Sequence, residues 1–268
     1  MMGSDRHYPE ERPAHLVGVS SLWMDETAVT NTAFSAFVAA TGYVTVAERP
    51  LDPALYPGAQ PAMLVPGSLV FRMTEGPVDT RDIANWWHWI PGASWRHPKG
   101  PGSDFVGRED HPVVQVAYED AEAYARWADK ALPSEAEWEF GARGGLDGAE
   151  FAWGEEFTPG GVHLSNTWQG PFPWSDFAAD GFAGTCPVRS FPPNGYGLYE
   201  MCGNSWEWTT DWFAARHEPA KPGCCAAEAS LDPRQPTSRI PRKVVKGGSF
   251  LCWHIIISKR FRAATCRT

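Results

Sequence analysis

The run Gly203-Asn204-Ser205-Trp206-Glu207-Trp208 sets a Gly-Asn turn directly before two tryptophans that flank an acid. Taken alone, it is a turn followed by an aromatic segment, and a packed loop is the ordinary reading of such a run. The residues around it continue the pattern. Phe191-Pro192-Pro193-Asn194-Gly195-Tyr196-Gly197-Leu198-Tyr199 is turn-rich, and Val244-Val245-Lys246-Gly247-Gly248-Ser249-Phe250-Leu251-Cys252 passes through a tight Gly-Gly turn to a cysteine. From Gly145 to Arg242 the whole stretch reads as loop, with Trp, Gly, Pro and Asn closely spaced. So long a loop in a compact domain is expected to be functional or to be held, by a bound ion or by dense aromatic packing.

Outward from there, the 268 residues show one compositional regime, and a single domain over 1–268 is expected. The 14 Trp, 26 Gly and 24 Pro are the unusual counts. Gly and Pro fix turns, so aromatic side chains must supply buried area that regular elements usually supply. The net charge of −9 repels phosphate backbones and argues against nucleic acid as a partner. No stretch approaches the ~20 apolar residues of a membrane helix. The start, Met1 to His7, is polar and lacks a signal-peptide core, so the expectation is a cytoplasmic protein with no membrane partner. Six cysteines are too sparse for a disulfide scaffold.

Local signals predict three helices. Thr30 or Asn31 caps a helix that carries Phe34, Phe37 and Val38 on one face and stops at Gly42. A second runs from about Glu119 to Asp129 and buries Ala121, Tyr124, Ala125 and Ala128. Ser134 and Glu137 have capping-box spacing and open a third, which ends at Gly144-Gly145. Short strands are expected at Leu16–Val19, Val113–Ala117 and Lys243–Val245.

Together the three quoted runs resemble the signature of the formylglycine-generating, sulfatase-modifying family: PNGYGLY, then GN-x-WEW, then GGS-x-x-C. Upstream pieces agree in order and spacing: Val29–Phe37, Ala40–Thr45, His111–Val116, Leu132–Glu139 and Asn166–Gly170. The resemblance implies an α+β domain, a C-type-lectin-like variant with little regular secondary structure. It also implies an oxidase that converts the cysteine of a C-x-P-x-R segment in a sulfatase polypeptide to formylglycine, using O2 and copper(I).

The resemblance further implies two calcium sites. Calcium takes about six to eight oxygens from carboxylates, amides and carbonyls. The first site draws on the side chains of Asn166 and Asp180 and the carbonyls of Thr167 and Phe182. The second draws on the side chains of Glu200 and Glu207 and the carbonyls of Gly203 and Ser205. The bland alternative is that Asp180 and Glu207 are solvated loop acids.

At the catalytic end, Cys252 takes the place of the first copper thiolate, with Ser249 and Trp206 lining the pocket. The family's second cysteine is missing. Its place falls on Ile257 when the sequences are aligned without gaps, or on Ser258 when Arg260-Phe261-Arg262 is the anchor. Cys266 lies beyond that arginine segment in a tail with no predicted element, and His254 reads as an ordinary histidine. Cys186, Cys202, Cys224 and Cys225 lack metal-ligand spacing and read as small buried residues or exposed thiols. Relative to the family both ends look cut, and Trp253 to Ile257 suits a buried strand better than a polar pocket wall. Beside the oxidase, the alternative expectation is a catalytically inactive, calcium-stabilised relative that binds peptide or protein. An iron-dependent sulfoxide synthase is disfavoured, because eight scattered His offer no clustered ligand set.

Overall fold

The computed structural model describes residues 1–6, 8–55, 58–61, 64–146, 148–214 and 242–252, and the backbone of Arg262–Cys266. Regular structure is sparse: α1 (Asn31–Thr41), β1 (Gly67–Phe71), β2 (Trp87–Pro91), α2 (Tyr118–Trp127), α3 (Glu135–Arg143), β3 (Glu207–Trp212), β4 (Arg242–Lys246) and β5 (Arg262–Cys266), with short 3-10 turns between them. No helix among the described residues is long and apolar enough to cross a membrane. The chain forms two compact units.

One unit comprises Val29–Lys130 and Gln169–Ala178. Thr30 caps α1 by accepting the Ala33 N–H, and Gly42 closes it in the left-handed conformation. The α1 face carrying Phe34, Phe37 and Val38 is buried against Trp95. The Phe34 and Trp95 rings meet edge to face at 5.1 Å, and Phe105 stacks on Trp95 at 5.6 Å. α2 begins at Tyr118 and buries Ala125, but Asp120 is buried where Ala121 was expected. Its carboxylate accepts the Ala117 N–H and the Val46 N–H. β1 and β2 form an antiparallel hairpin. The strand expected at Val113–Ala117 does not form, because Gln115 is left-handed (φ 59°) and breaks any ladder.

The other unit comprises Met1–Ala28, Ala131–Trp168 and Ala179–Arg267. α3 is capped by Ser134, which accepts the Glu137 N–H while the Glu137 carboxylate accepts the Ser134 N–H; Gly144 ends the helix. β3, β4 and β5 make an antiparallel sheet in that order. The strand expected at Lys243–Val245 lies within β4. Three expectations are corrected. Leu16–Val19 forms no ladder among the described residues, and Leu16 stands exposed. The stretch after Gly145 is not all loop, since Trp208 to Trp212 extends as β3 against β4. Cys266, expected in a tail with no element, lies on β5, paired with Arg242.

Candidate active site

β4 is followed by Gly247 and Gly248, both left-handed (φ 92° and 78°). A Cβ on Gly247 would stand 3.3 Å from Cζ2 of Trp138, so the turn needs glycine there. The next residues close on themselves. The Cys252 N–H donates to the Ser249 carbonyl at 2.9 Å, the Ser249 N–H donates to Cys252 Sγ at 3.3 Å, and Ser249 Oγ lies 3.6 Å from that sulfur. Two further bonds tether this turn. The Phe250 N–H donates to the Asn204 carbonyl at 3.1 Å, and the Trp168 N–H donates to the Cys252 carbonyl at 3.2 Å.

Cys252 is buried in a core cluster with Trp138, Leu198, Met201 and Cys202, and Trp206 packs against that cluster. Cys252 and Ser249 therefore meet in one turn, and Trp206 packs against the cluster that buries Cys252. Burial pushes the Cys252 thiol up, opposed by the hydrogen bonds from Ser249 that favour the thiolate. Copper(I) selects thiolates, and Cys252 is the one cysteine of this turn; positions 257 and 258 carry Ile and Ser. Neither position 257 nor position 258 supplies the second thiolate that a two-thiolate copper site needs. Ile257, Ser258, His254, Cys224 and Cys225 lie outside the described residues.

The first calcium set comes together. Asn166 is fully buried, and its Nδ2 donates to the Gly184 carbonyl at 2.8 Å and to Asn204 Oδ1 at 3.2 Å. Two acceptors on Nδ2 fix the amide orientation and leave Oδ1 buried with no hydrogen-bond partner among the described residues. The Asp180 carboxylate accepts the Thr167 N–H at 2.8 Å and the Phe182 N–H at 3.0 Å, bringing Asp180 to both residues whose carbonyls complete the expected set.

The second set joins two desolvated carboxyls. Glu200, left-handed at φ 48°, accepts the Arg189 and Phe191 N–H groups, and burial raises its pKa. Glu207 is partly exposed as a residue, but its carboxyl is enclosed. Burial pushes its pKa up to about 7, the nearby Glu200 adds to the rise, and a 2.7 Å hydrogen bond from Trp138 Nε1 opposes it. Two neighbouring carboxyls, both raised by burial, form a site whose charge a cation would neutralise. The Gly203 carbonyl accepts the Ser205 N–H at 2.8 Å, so the two expected carbonyl donors belong to one tight turn. Among the described residues no three His, Cys, Asp or Glu side chains converge on one point; any cation here relies on amide and carbonyl oxygens as well. The donor chemistry of both sets, all oxygen and partly desolvated, fits calcium.

Residues 1–267 match the sulfatase-modifying factor enzyme 1-like domain. The chain belongs to the sulfatase-modifying factor family. Among named members of this family, the chain is 54% identical to the formylglycine-generating enzyme of Mycobacterium tuberculosis over 253 residues, covering 94% of this chain and 83% of that one. It is 47% identical to the formylglycine-generating enzyme of Thermomonospora curvata over 268 residues, covering 97% and 82%. A solved structure of PvdO from Pseudomonas aeruginosa superposes with a TM-score of 0.53 at 23% identity, over 90% of this chain and 73% of that one, which shows the shared fold.

Within the sulfatase-modifying factor domain, two residues of this site were not read from sequence. Trp138 holds Glu207 through its indole N–H. Asn204 contacts the Asn166 segment, Cys186 and Phe250. Asn204 is left-handed (φ 60°), a conformation that Asn tolerates better than most residues.

Proposed function

We propose that this chain acts on a sulfatase polypeptide, converting the cysteine of a C-x-P-x-R segment to formylglycine with O2 as oxidant. The observation that carries this reading is the buried turn in which the Ser249 amide and hydroxyl both approach Cys252 Sγ. Family membership supports it. Turning the thiol-bearing carbon of the substrate cysteine into an aldehyde, with release of hydrogen sulfide, removes two electrons from the substrate. O2 accepts four on its way to water, so a thiol reductant supplies the other two. Ser249 orients the Cys252 sulfur, and Trp206 with the surrounding apolar cluster keeps water from it. Calcium at the two oxygen sets orders the loops that carry these residues, a reading supported by the buried Asn166 Oδ1 and the raised Glu200 and Glu207. The compartment of this reaction is the cytoplasm.

One observation favours a second reading. Ile257 or Ser258 stands where the second thiolate of a copper(I) site is expected. An inactive relative that still binds the peptide would need the calcium-ordered loops and no copper. Co-expression with a C-x-P-x-R-tagged protein, followed by aldehyde-specific labelling of the tag, separates the two. The oxidase reading predicts labelling that disappears in Cys252→Ala. Absence of label in wild type, with the tag still captured by the folded protein, supports the binding reading instead.

A further inference from the structure

We infer that Asn204 is a positioning residue that couples the first calcium set to the thiol turn, so that calcium occupancy governs the accessibility of Cys252. This rests on the calcium reading above.

Asn204 is 2% exposed and uses its backbone and side chain in different directions. Its N–H donates to the Asn166 carbonyl at 2.8 Å, and its Oδ1 accepts Asn166 Nδ2 at 3.2 Å. Oδ1 also accepts the Cys186 N–H at 2.9 Å, while Nδ2 returns a bond to the Cys186 carbonyl at 3.2 Å. Its own carbonyl accepts the Phe250 N–H from inside the Ser249–Cys252 turn. One buried residue therefore joins the segment of Asn166, whose Oδ1 belongs to the first calcium set, to the segment bearing the thiol.

A second bond runs the same way. Trp168, two residues beyond Asn166, donates its N–H to the Cys252 carbonyl. The frame has little slack, because a Cβ on Gly203 would overlap the Asn166 carbonyl oxygen. The carbonyls expected for the second calcium set, those of Gly203 and Ser205, flank Asn204 directly in the chain. A displacement of Asn166 on loss of its cation is passed to Asn204 and Trp168, and from both to the turn that buries Cys252.

The test uses the full chain and reads iodoacetamide alkylation of Cys252 by peptide mass mapping, with and without a calcium chelator. Melting temperature is followed in parallel. Chelation is expected to lower the melting temperature and to speed Cys252 alkylation about tenfold, within the usual range of coupling between linked sites. In Asn204→Gly, which accepts the left-handed backbone without strain, the side-chain link to Asn166 is lost and the calcium effect on Cys252 alkylation should shrink severalfold while calcium still raises the melting temperature. Asn204→Asp, nearly isosteric and still able to accept from Asn166 Nδ2 though unable to donate to the Cys186 carbonyl, should keep the calcium effect. An unchanged Cys252 rate in wild type, alongside a calcium-dependent melting temperature, overturns the coupling and leaves the calcium reading standing. An undiminished calcium effect in Asn204→Gly also overturns it. A melting temperature indifferent to calcium removes the calcium reading and this inference together.

Discussion

Burial disfavours the charged form of a carboxyl, and at Glu207 this carries the pKa from an ordinary 4.5 to about 7. A raised acid keeps its proton in the fold at pH values where the unfolded chain has lost it. Without metal, stability should therefore fall as pH rises from 4.5 through about 7. Calcium binds the carboxylate form, so the rise in melting temperature on adding calcium should be larger at about pH 8 than at about pH 5.5. Equal shifts at both would remove Glu207 from the site. Trp138→Phe keeps an aromatic ring but deletes the donor to Glu207. Hydrogen bonds to charged groups contribute about 1.5–3 kcal/mol, and the variant should lose stability on that scale together with much of its calcium response. At Gly203 the constraint is steric, because any side chain there meets the Asn166 carbonyl at a left-handed position. Gly203→Ala should cost at least about 2 kcal/mol by thermal melting.

α3 and β4 are joined by buried charge. Lys246 is fully buried, with its ammonium 3.1 Å from Glu139 and 3.5 Å from Glu135, and Arg143 is 2.6 Å from Glu139. Lys246→Met strands these carboxylates and should destabilise by about 3–5 kcal/mol, as expected for one partner removed from a buried pair. Desolvation pushes Glu139 up, but Lys246 and Arg143 outweigh it and hold its pKa below 4.5. This contribution is present above the ordinary glutamate value and is lost as pH falls through the lowered one. Acid unfolding followed by circular dichroism should accordingly lose a transition component in Glu139→Gln. The helices were legible because their signals are local: Thr30 and Gly42 bracket α1, and Ser134, Glu137 and Gly144 bracket α3. β3 was missed because its register is set by β4, far along the chain. The extended run at Val113 to Ala117 satisfied strand propensity, yet Gln115 turned left-handed to bond Leu69 and Pro98 through its side-chain amide. In the site, Cys252 and Ser249 could be read from one short run. Asn204 could not, since its partners sit at 166, 186 and 250 and nothing in its neighbours records them.

At the scale of the whole molecule, the sulfatase-modifying factor domain has little regular structure, and aromatic clusters and buried ion pairs supply packing that helices and strands do not. The catalytic claim rests on Cys252, and incubation of a purified C-x-P-x-R peptide with this protein, copper(I), calcium, a thiol reductant and air tests it most directly. Mass spectrometry of the peptide should show its cysteine converted to formylglycine by wild type and not by Cys252→Ala. No conversion by folded, calcium-loaded protein would contradict the oxidase account.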